Sequence, residues 1–316
     1  MLNSLQFVQG AVAKKDFIPE LTHFRIQGGR IRGYNGMLGL SCPIDLNLDI
    51  SPKAVPFIKA IQTCKDTIQL HVTPTGRLSI KSGKFKALVE CTSEASIEIE
   101  PSGTVIDLSN GFLKVLKTLF PLIAEDASRP WARGILFRGS SAFATNNIIL
   151  AEAWLGYDFP VEINIPKAAI AELLRIGEEP EKMQVSEANV TFHFTGDRWL
   201  RTQTYVTEWP DLTTILNRES KQVKIQNELW TAVEDLTPFV DELGRIFLSN
   251  DAISTGENDS ANATVDFINS GLIGCFHFEQ LRLLSKVAET ADFTSYPAPC
   301  LFQGNNLRGA IVGMRY

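Results

Sequence analysis

No run of apolar residues in this chain approaches the roughly 18 that a membrane helix needs, and mean hydropathy is +0.01, so a helical membrane span is not expected. The first seven residues, Met1-Leu-Asn-Ser-Leu-Gln-Phe7, put no basic residue ahead of an apolar stretch, and Lys14 and Lys15 come after it. The N-terminus therefore does not read as a secretory signal. Cysteine is scarce and odd in number (Cys42, Cys64, Cys91, Cys275, Cys300), with no Cys-x-x-Cys pair. That argues against a disulfide framework and for a reduced, cytoplasmic setting. There is no Walker loop, no G-x-G-x-x-G after a strand, no H-E-x-x-H and no G-x-S-x-G. The histidines His23, His71, His193 and His277 lie far apart, and no His, Cys or carboxylate group has metal-ligand spacing. His193, between Phe192 and Phe194, is expected to face solvent, and Glu178-Glu179 to sit in a solvated turn after Gly177. Neither an enzyme nor a cofactor or metal is expected.

What is present is an ordinary globular composition, 44% hydrophobic and 21% charged, over 316 residues, more than one core usually holds. Thirty Lys and Arg against thirty-six Asp and Glu leave a net charge of −6. Bulk charge thus speaks against nucleic acid, but where the charges sit matters more than their sum.

The chain also repeats itself. A pair of short strands, Phe24-Arg-Ile-Gln27 and Arg30 to Asn35, recurs as Ile135 to Arg138 with Ala142 to Asn147, and as Ile246 to Ser249 with Ala252 to Gly256. The central residues Ile31, Phe143 and Ile253 are spaced by 112 and 110. A helix after an extended run recurs at Ser51-Pro52 through Ile61, at Ile165-Pro166 through Leu174, and at Phe278 through Leu284, with Ser51 and Pro52 read as cap and first turn. Glycine turns at Gly83, Gly196 and Gly304 keep the same period. Each unit opens on a helical pattern: Leu5-Val8-Val12, Phe112-Leu113-Leu116-Phe120 and Leu229-Trp230-Val233-Leu236. The expectation is an α+β chain of three repeated domains, residues 1–105, 106–216 and 217–316, each with two helices packed on antiparallel sheet.

Five of the six helices carry Lys or Arg beside the apolar stripe: Lys14 and Lys15; Lys53, Lys59 and Lys65; Lys114 and Lys117; Lys167 and Arg175; Arg282 and Lys286. Two readings stand. One is ordinary solvated helix faces; the other is a basic surface for a polyanion on an otherwise acidic protein. The opening helix of the third repeat departs from this, being crowded by Glu228, Glu234, Asp235, Asp241 and Glu242.

Three stretches resemble the bacterial sliding clamp, the beta subunit of DNA polymerase III. They are Ala142 to Ala151, Phe159 through Lys167 to Glu208-Trp-Pro-Asp-Leu212, and the C-terminus Gly309 to Tyr316. The trimmed length resembles divergent members such as those of phages. The resemblance implies the DNA-clamp fold and a head-to-tail homodimeric ring around duplex DNA, with helices lining the hole. Its role would be that of a non-enzymatic processivity factor tethering polymerase and clamp loader through short peptide motifs. It also implies weak, non-specific phosphate contacts from Lys14, Lys15, Lys53, Lys59, Lys114, Lys117, Arg129, Arg133, Lys167, Arg175, Arg282 and Lys286. Trp131 stands where the family has an aromatic DNA contact, and would offer a face to an unpaired base or else pack in the core. A partner-peptide pocket would be formed by Ala132, Thr145, Ile149, Leu150, Val312, Met314 and Arg315, though for Met314 plain core packing is the other reading. Departures are Ile148-Ile149 for His-Arg, Gly313 for Pro, Tyr316 for Leu, and His277 and Gln280 for Asn and Tyr beside the pocket. The 84–89 segment is the candidate edge for joining subunits. The alternative is a non-encircling repeat scaffold that binds replication or repair proteins through the same pocket.

Overall fold

The structure, a computed structural model, describes the chain except for residues 94–98, 127, 207, 258–261, 268–270 and 316. The fold is α+β, as expected from the alternation of helical and strand-like patterns. Among the described residues the strands form five sheets, antiparallel throughout.

The chain divides into two compact units, Met1–Leu113 with Ala168–Thr204, and Lys114–Lys167 with Tyr205–Tyr316. The first unit holds a seven-stranded sheet in the order β1 (Arg25–Gln27), β2 (Arg30–Tyr34), β3 (Leu38–Pro43), β14 (Arg198–Gln203), β13 (Asn189–Phe194), β12 (Lys182–Val185), β9 (Thr104–Asp107). It also holds a three-stranded sheet, β5 (Gln69–Val72), β6 (Leu78–Ser82), β7 (Phe85–Val89), and a short pair, β4 (Ser51–Pro52) with β8 (Cys91–Thr92). Helices α1 (Leu2–Val8) and α2 (Ala54–Thr63) belong to it, and the division passes through α3 (Phe112–Leu119) and α4 (Lys167–Ile176).

The second unit holds a six-stranded sheet, β10 (Gly134–Thr145), β11 (Ile149–Pro166), β22 (Leu307–Ile311), β21 (Cys300–Gly304), β20 (Thr290–Ala291), β15 (Val223–Lys224). A four-stranded sheet, β18 (Thr264–Asp266), β17 (Ala252–Ser254), β16 (Arg245–Leu248), β19 (Gly274–His277), completes it, with helices α5 (Thr213–Leu216), α6 (Asn227–Leu236) and α7 (Phe278–Leu284).

Local chemistry accounts for the elements. In α2, Phe57, Ile58, Ala60 and Ile61 are buried while Lys59 points out; in α3, Phe112, Leu116 and Leu119 are buried between exposed Lys114 and Lys117. Gly28 and Gly29 both take positive φ, 57° and 70°, which the tight β1–β2 turn requires and a residue with a Cβ resists. The core of each sheet is aromatic and β-branched: Phe24, Ile26, Ile31 and Phe192 in the first unit, Phe137, Phe276 and Phe302 in the second, all fully buried.

The sequence pattern misplaces several details. Ser51 and Pro52 form β4 rather than a cap; α2 starts at Ala54 with Lys53 as its N-cap, because the pair is drawn into a ladder with Cys91 and Thr92. Val12 lies outside α1, and Asp241 and Glu242 lie beyond α6, which ends at Leu236. Asp241 instead accepts from Arg245 Nε (2.6 Å) and from Leu243 N (3.1 Å). His193 is half-buried, not solvent-facing.

Strand order shows how far-apart segments combine. β3 pairs with β14 through Ser41↔Trp199 to Leu38↔Thr202, and β11 pairs with β22 through Ile149↔Ile311 to Ala153↔Leu307. β3 follows the β1–β2 hairpin and β11 is the second strand of the β10–β11 hairpin; in both cases the last strand of a leading antiparallel run joins the last strand of a later hairpin. β7 is the last strand of the β6–β7 hairpin, and β18 the strand after the β16–β17 hairpin. Each lies at a sheet edge and, among the described residues, pairs with one neighbour only.

Candidate partner shelf and nucleic-acid interface

The partner site expected from the resemblance falls wholly in the second unit. It is organised by the turn joining β10 to β11. Thr145 Oγ1 donates to the Ile149 carbonyl (2.8 Å) and accepts from Asn147 N (3.0 Å), while Asn146 Oδ1 accepts from Ile148 N (3.0 Å) and Ile149 N (2.7 Å). Asn147 takes the left-handed conformation (φ 75°) that asparagine tolerates better than most residues. Asn146 Nδ2 donates to Gln280 Oε1 (2.7 Å), so Gln280 braces this turn. The C-terminal segment is held on both sides: Val312 N donates to the Ile148 carbonyl (2.9 Å), Met314 N to the Cys275 carbonyl (2.7 Å), and Tyr296 Oη to the Met314 carbonyl (2.6 Å).

Beside this turn lies an apolar cluster of Leu136, Phe143, Leu150, Trp209, Leu216, Leu301 and Ala310, with Trp131, Leu212 and Ile215 packed on it and partly exposed. Trp131 and Trp209 meet edge to face at 4.9 Å and 63°. The indole N–H of Trp209 is buried with no hydrogen-bond partner among the described residues. An orphaned donor of this kind costs about 1–3 kcal/mol. Leu216 and Leu301 also line an open depression of about 440 Å³ with Arg218, Gln222, Phe302 and Arg308.

Of the expected pocket residues, Ala132 and Ile149 are fully buried and form backing, and Thr145 is spent on the turn. Leu150 belongs to the cluster, and Val312, Met314 and Arg315 retain exposure. Sequence reasoning named Ile148, which is exposed next to Val312, only as a departure from the family, and Trp209 and Leu212 only within a resembling stretch; it placed none of them in the pocket and did not single out Ile215 and Leu216. The spacing of Leu212, Ile215 and Leu216 (i, i+3, i+4) after Trp-Pro-Asp is the signal that marks α5 as a one-sided apolar turn.

The basic residues separate into two groups. Lys14, Lys15, Lys53, Lys59, Lys114, Lys117, Arg133 and Lys286 are exposed. Lys117 and Lys286 line one groove of about 240 Å³ floored by Pro121, Leu122, Leu283 and Val287. The others are engaged within the chain. Lys167 pairs with Glu125, donates to the Ile123 carbonyl (3.4 Å) and lies over the Phe120 ring. The Lys167 hydrogen bond, and then its charge, hold the Glu125 carboxyl below its ordinary range. Arg175 forks onto the buried Glu172 carboxylate (2.5 Å) and donates to the Gln6 and Phe7 carbonyls (3.2 and 2.8 Å) near the end of α1. Arg282 pairs with Glu234 of α6 (2.7 Å), and Arg129 donates to Asn147 Oδ1 (3.1 Å). Trp131 is half-buried against Trp209, the packed arrangement rather than an open face. No group of three or more potential metal ligands occurs among the described residues, and no described helix is long and apolar enough to cross a membrane.

No family model and no curated protein matches the chain. Solved structures do. The Caulobacter crescentus polymerase III beta superposes with a TM-score of 0.85 at 18% identity, over 100% of this chain and 97% of that one. The Bacillus subtilis DNA polymerase sliding clamp gives 0.83 at 17%, over 100% and 97%. The DNA polymerase III subunit beta of Pseudomonas aeruginosa gives 0.83 at 18%, over 99% and 97%. At such identities the likeness is one of architecture, and the architecture of this chain is that of the beta sliding clamps along its whole length.

Proposed function

We propose that the chain is a sliding clamp: three repeats, residues 1–105, 106–216 and 217–316, that pair head to tail with a second copy and encircle duplex DNA as a non-enzymatic tether for a polymerase. The observation that carries this reading is the full-length superposition on beta clamps, at a TM-score of 0.85. The strand arithmetic supports it. Twice within the chain the last strand of a leading antiparallel run joins the last strand of a later hairpin, β3 with β14 and β11 with β22. The same rule applied a third time leaves β18 and β7, and two copies of the chain would satisfy both edges twice, closing the assembly. Charge fits the same junction, since Lys84 precedes β7, Lys86 lies within it, and β18 ends on Asp266.

The acidic α6 finds a place in this scheme as well. The α1 end meets α4 through Arg175, and α3 lines a groove with α7. By the same order α6 would lie near α2 of the second copy, setting Glu228 and Asp235 against Lys53 and Lys59. DNA would then be held by exposed lysines such as Lys114, Lys117 and Lys286. Weak and sequence-blind contacts suffice when topology prevents escape. The apolar shelf of Trp131, Leu212 and Ile215, with Ile148, Val312 and Met314 beside the neighbouring turn, would take an apolar peptide from polymerase or loader, and the orphaned Trp209 donor would gain an acceptor.

The test is retention on DNA after loading. A clamp stays on closed circular DNA and is lost when the circle is linearised; the native mass should be that of two chains. A scaffold that binds partners without encirclement would show the peptide site but the same retention on both DNA forms, which would refute the clamp reading.

A further inference from the structure

The residue expected to present a flat face to an unpaired base, Trp131, is packed against Trp209. The freely presented aromatic is elsewhere: Phe17 is fully exposed, and its neighbour Ile18 is half exposed. Two observations say that this is a formed loop rather than a frayed segment. Its base is closed by Ala13 N donating to the Leu21 carbonyl (2.8 Å), and its far end runs into a 3₁₀ turn, Pro19–Thr22, that starts on proline. The Asp16 carboxylate accepts from Ile18 N (3.0 Å), which fixes the chain around Phe17. The same device recurs in the second repeat. There Ala124 N donates to the Ala132 carbonyl (3.1 Å), after an intervening segment of equal length, and the 3₁₀ turn Pro130–Arg133 again starts on proline. The two loops differ in what they present. The second turns its aromatic inward and carries Arg129; the first turns its aromatic outward, just after exposed Lys14 and Lys15.

From this geometry we propose that the 14–18 loop is a base-stacking contact for unpaired nucleotides beside a duplex. Phe17 takes the face of a base, and Lys14 and Lys15 take flanking phosphates. The inference rests on the DNA-binding reading above and adds to it a preference for single-strand–duplex junctions. Two adjacent exposed lysines outweigh the single carboxylate of Asp16 and leave the loop net positive, as contact with a polyanion requires. A π-face that reads no base edge suits a protein that must not stop at particular sequences.

Binding by anisotropy to three oligonucleotides tests it: a blunt duplex, a single strand, and a duplex with a single-stranded overhang carrying 2-aminopurine at the first unpaired position. The native protein should prefer the overhang to the blunt duplex and quench the 2-aminopurine. Phe17→Ala should weaken overhang and single-strand binding by about 5- to 100-fold, the range expected for one lost stack, and restore the fluorescence. Its affinity for the blunt duplex and its thermal unfolding should not change. Phe17→Trp should keep the preference. Lys14→Ala and Lys15→Ala should weaken all three, each lowering the slope of log K against log salt by about one. An unchanged overhang preference in Phe17→Ala overturns the proposal, even if the protein is retained on circular DNA. Failure of the native protein to bind any of the three overturns it together with the reading it rests on.

Discussion

At Gly10 the lack of a side chain is what allows a carboxylate to be buried. A methyl group there would lie 1.8 Å from Glu172 Oε1, and Glu172 cannot swing away without leaving Arg175, which the Gln6 and Phe7 carbonyls hold in place. Gly10→Ala should therefore destabilise the protein by about 3 kcal/mol, through overpacking and disturbance of a buried ion pair, and urea unfolding would measure it. Arg175→Ala should cost a similar amount by leaving the carboxylate uncompensated, and Arg175→Ala with Glu172→Gln should recover part of it. His193 gives a pH signature. Burial first, and then the Lys182 cation, hold its imidazole below the ordinary value of 6.5. The folded state thus keeps the ring neutral where the unfolded chain takes up a proton, so this contribution is full above pH 6.5 and lost as pH falls below it. The urea midpoint should drop less between pH 7.5 and pH 5.5 in His193→Gln than in the native protein. Arg175 shows how much of this the sequence carries. Its helix and its charge are legible from the 167–175 spacing, but its partners on α1 stand about 170 positions away, and nothing local marks them.

Elements were more legible than partners. Alternation around Gly28-Gly29 and the glycine turns at Gly83, Gly196 and Gly304 located hairpins, whereas the strand pair read at 135–138 and 142–147 is one strand, β10, whose two halves both pair with β11. Apolar spacing located α2, α3, α4 and α6, because each depends on neighbours within a few residues. Which strands join across the repeats was not legible, since an edge looks the same in sequence whether another strand will cover it or not. Glu152 illustrates the point. It is almost fully buried, takes Ser141 Oγ (2.7 Å) and Arg308 Nε (2.7 Å), and sits opposite Arg308 in the β11–β22 ladder, yet in sequence it is one acidic residue in a strand. Arg308→Ala should cost about 3 kcal/mol at this seam, measurable by urea unfolding. The edges left over, β7 and β18, give a test of assembly. Asp266→Lys should shift the native mass from two chains toward one at micromolar concentration, and adding Lys84→Glu and Lys86→Glu should shift it back. A dimer indifferent to all three changes would mean that other surfaces join the copies.

At the scale of the whole molecule, the repeats read from the sequence do not coincide with the compact units. The first unit takes Met1–Leu113 together with Ala168–Thr204, so a fragment ending at residue 105 lacks β12, β13 and β14 of its own sheet. Such a fragment should be poorly folded and aggregation-prone by circular dichroism and light scattering, whereas residues 1–113 joined by a short linker to 168–204 should melt cooperatively. The period near 110 is a rhythm of the sequence, and strand pairing joins segments more than one period apart. The pairing of β3 with β14 also imposes an order of events in the cell. Leu38 to Ser41 are made early, but their partners Trp199 to Thr202 are made roughly 160 residues later, at least several seconds of synthesis at ordinary elongation rates. Throughout that interval the growing chain carries a bare strand flank. A slower pace of translation lengthens that exposure, so the finished fold's stability does not protect the strand while it waits.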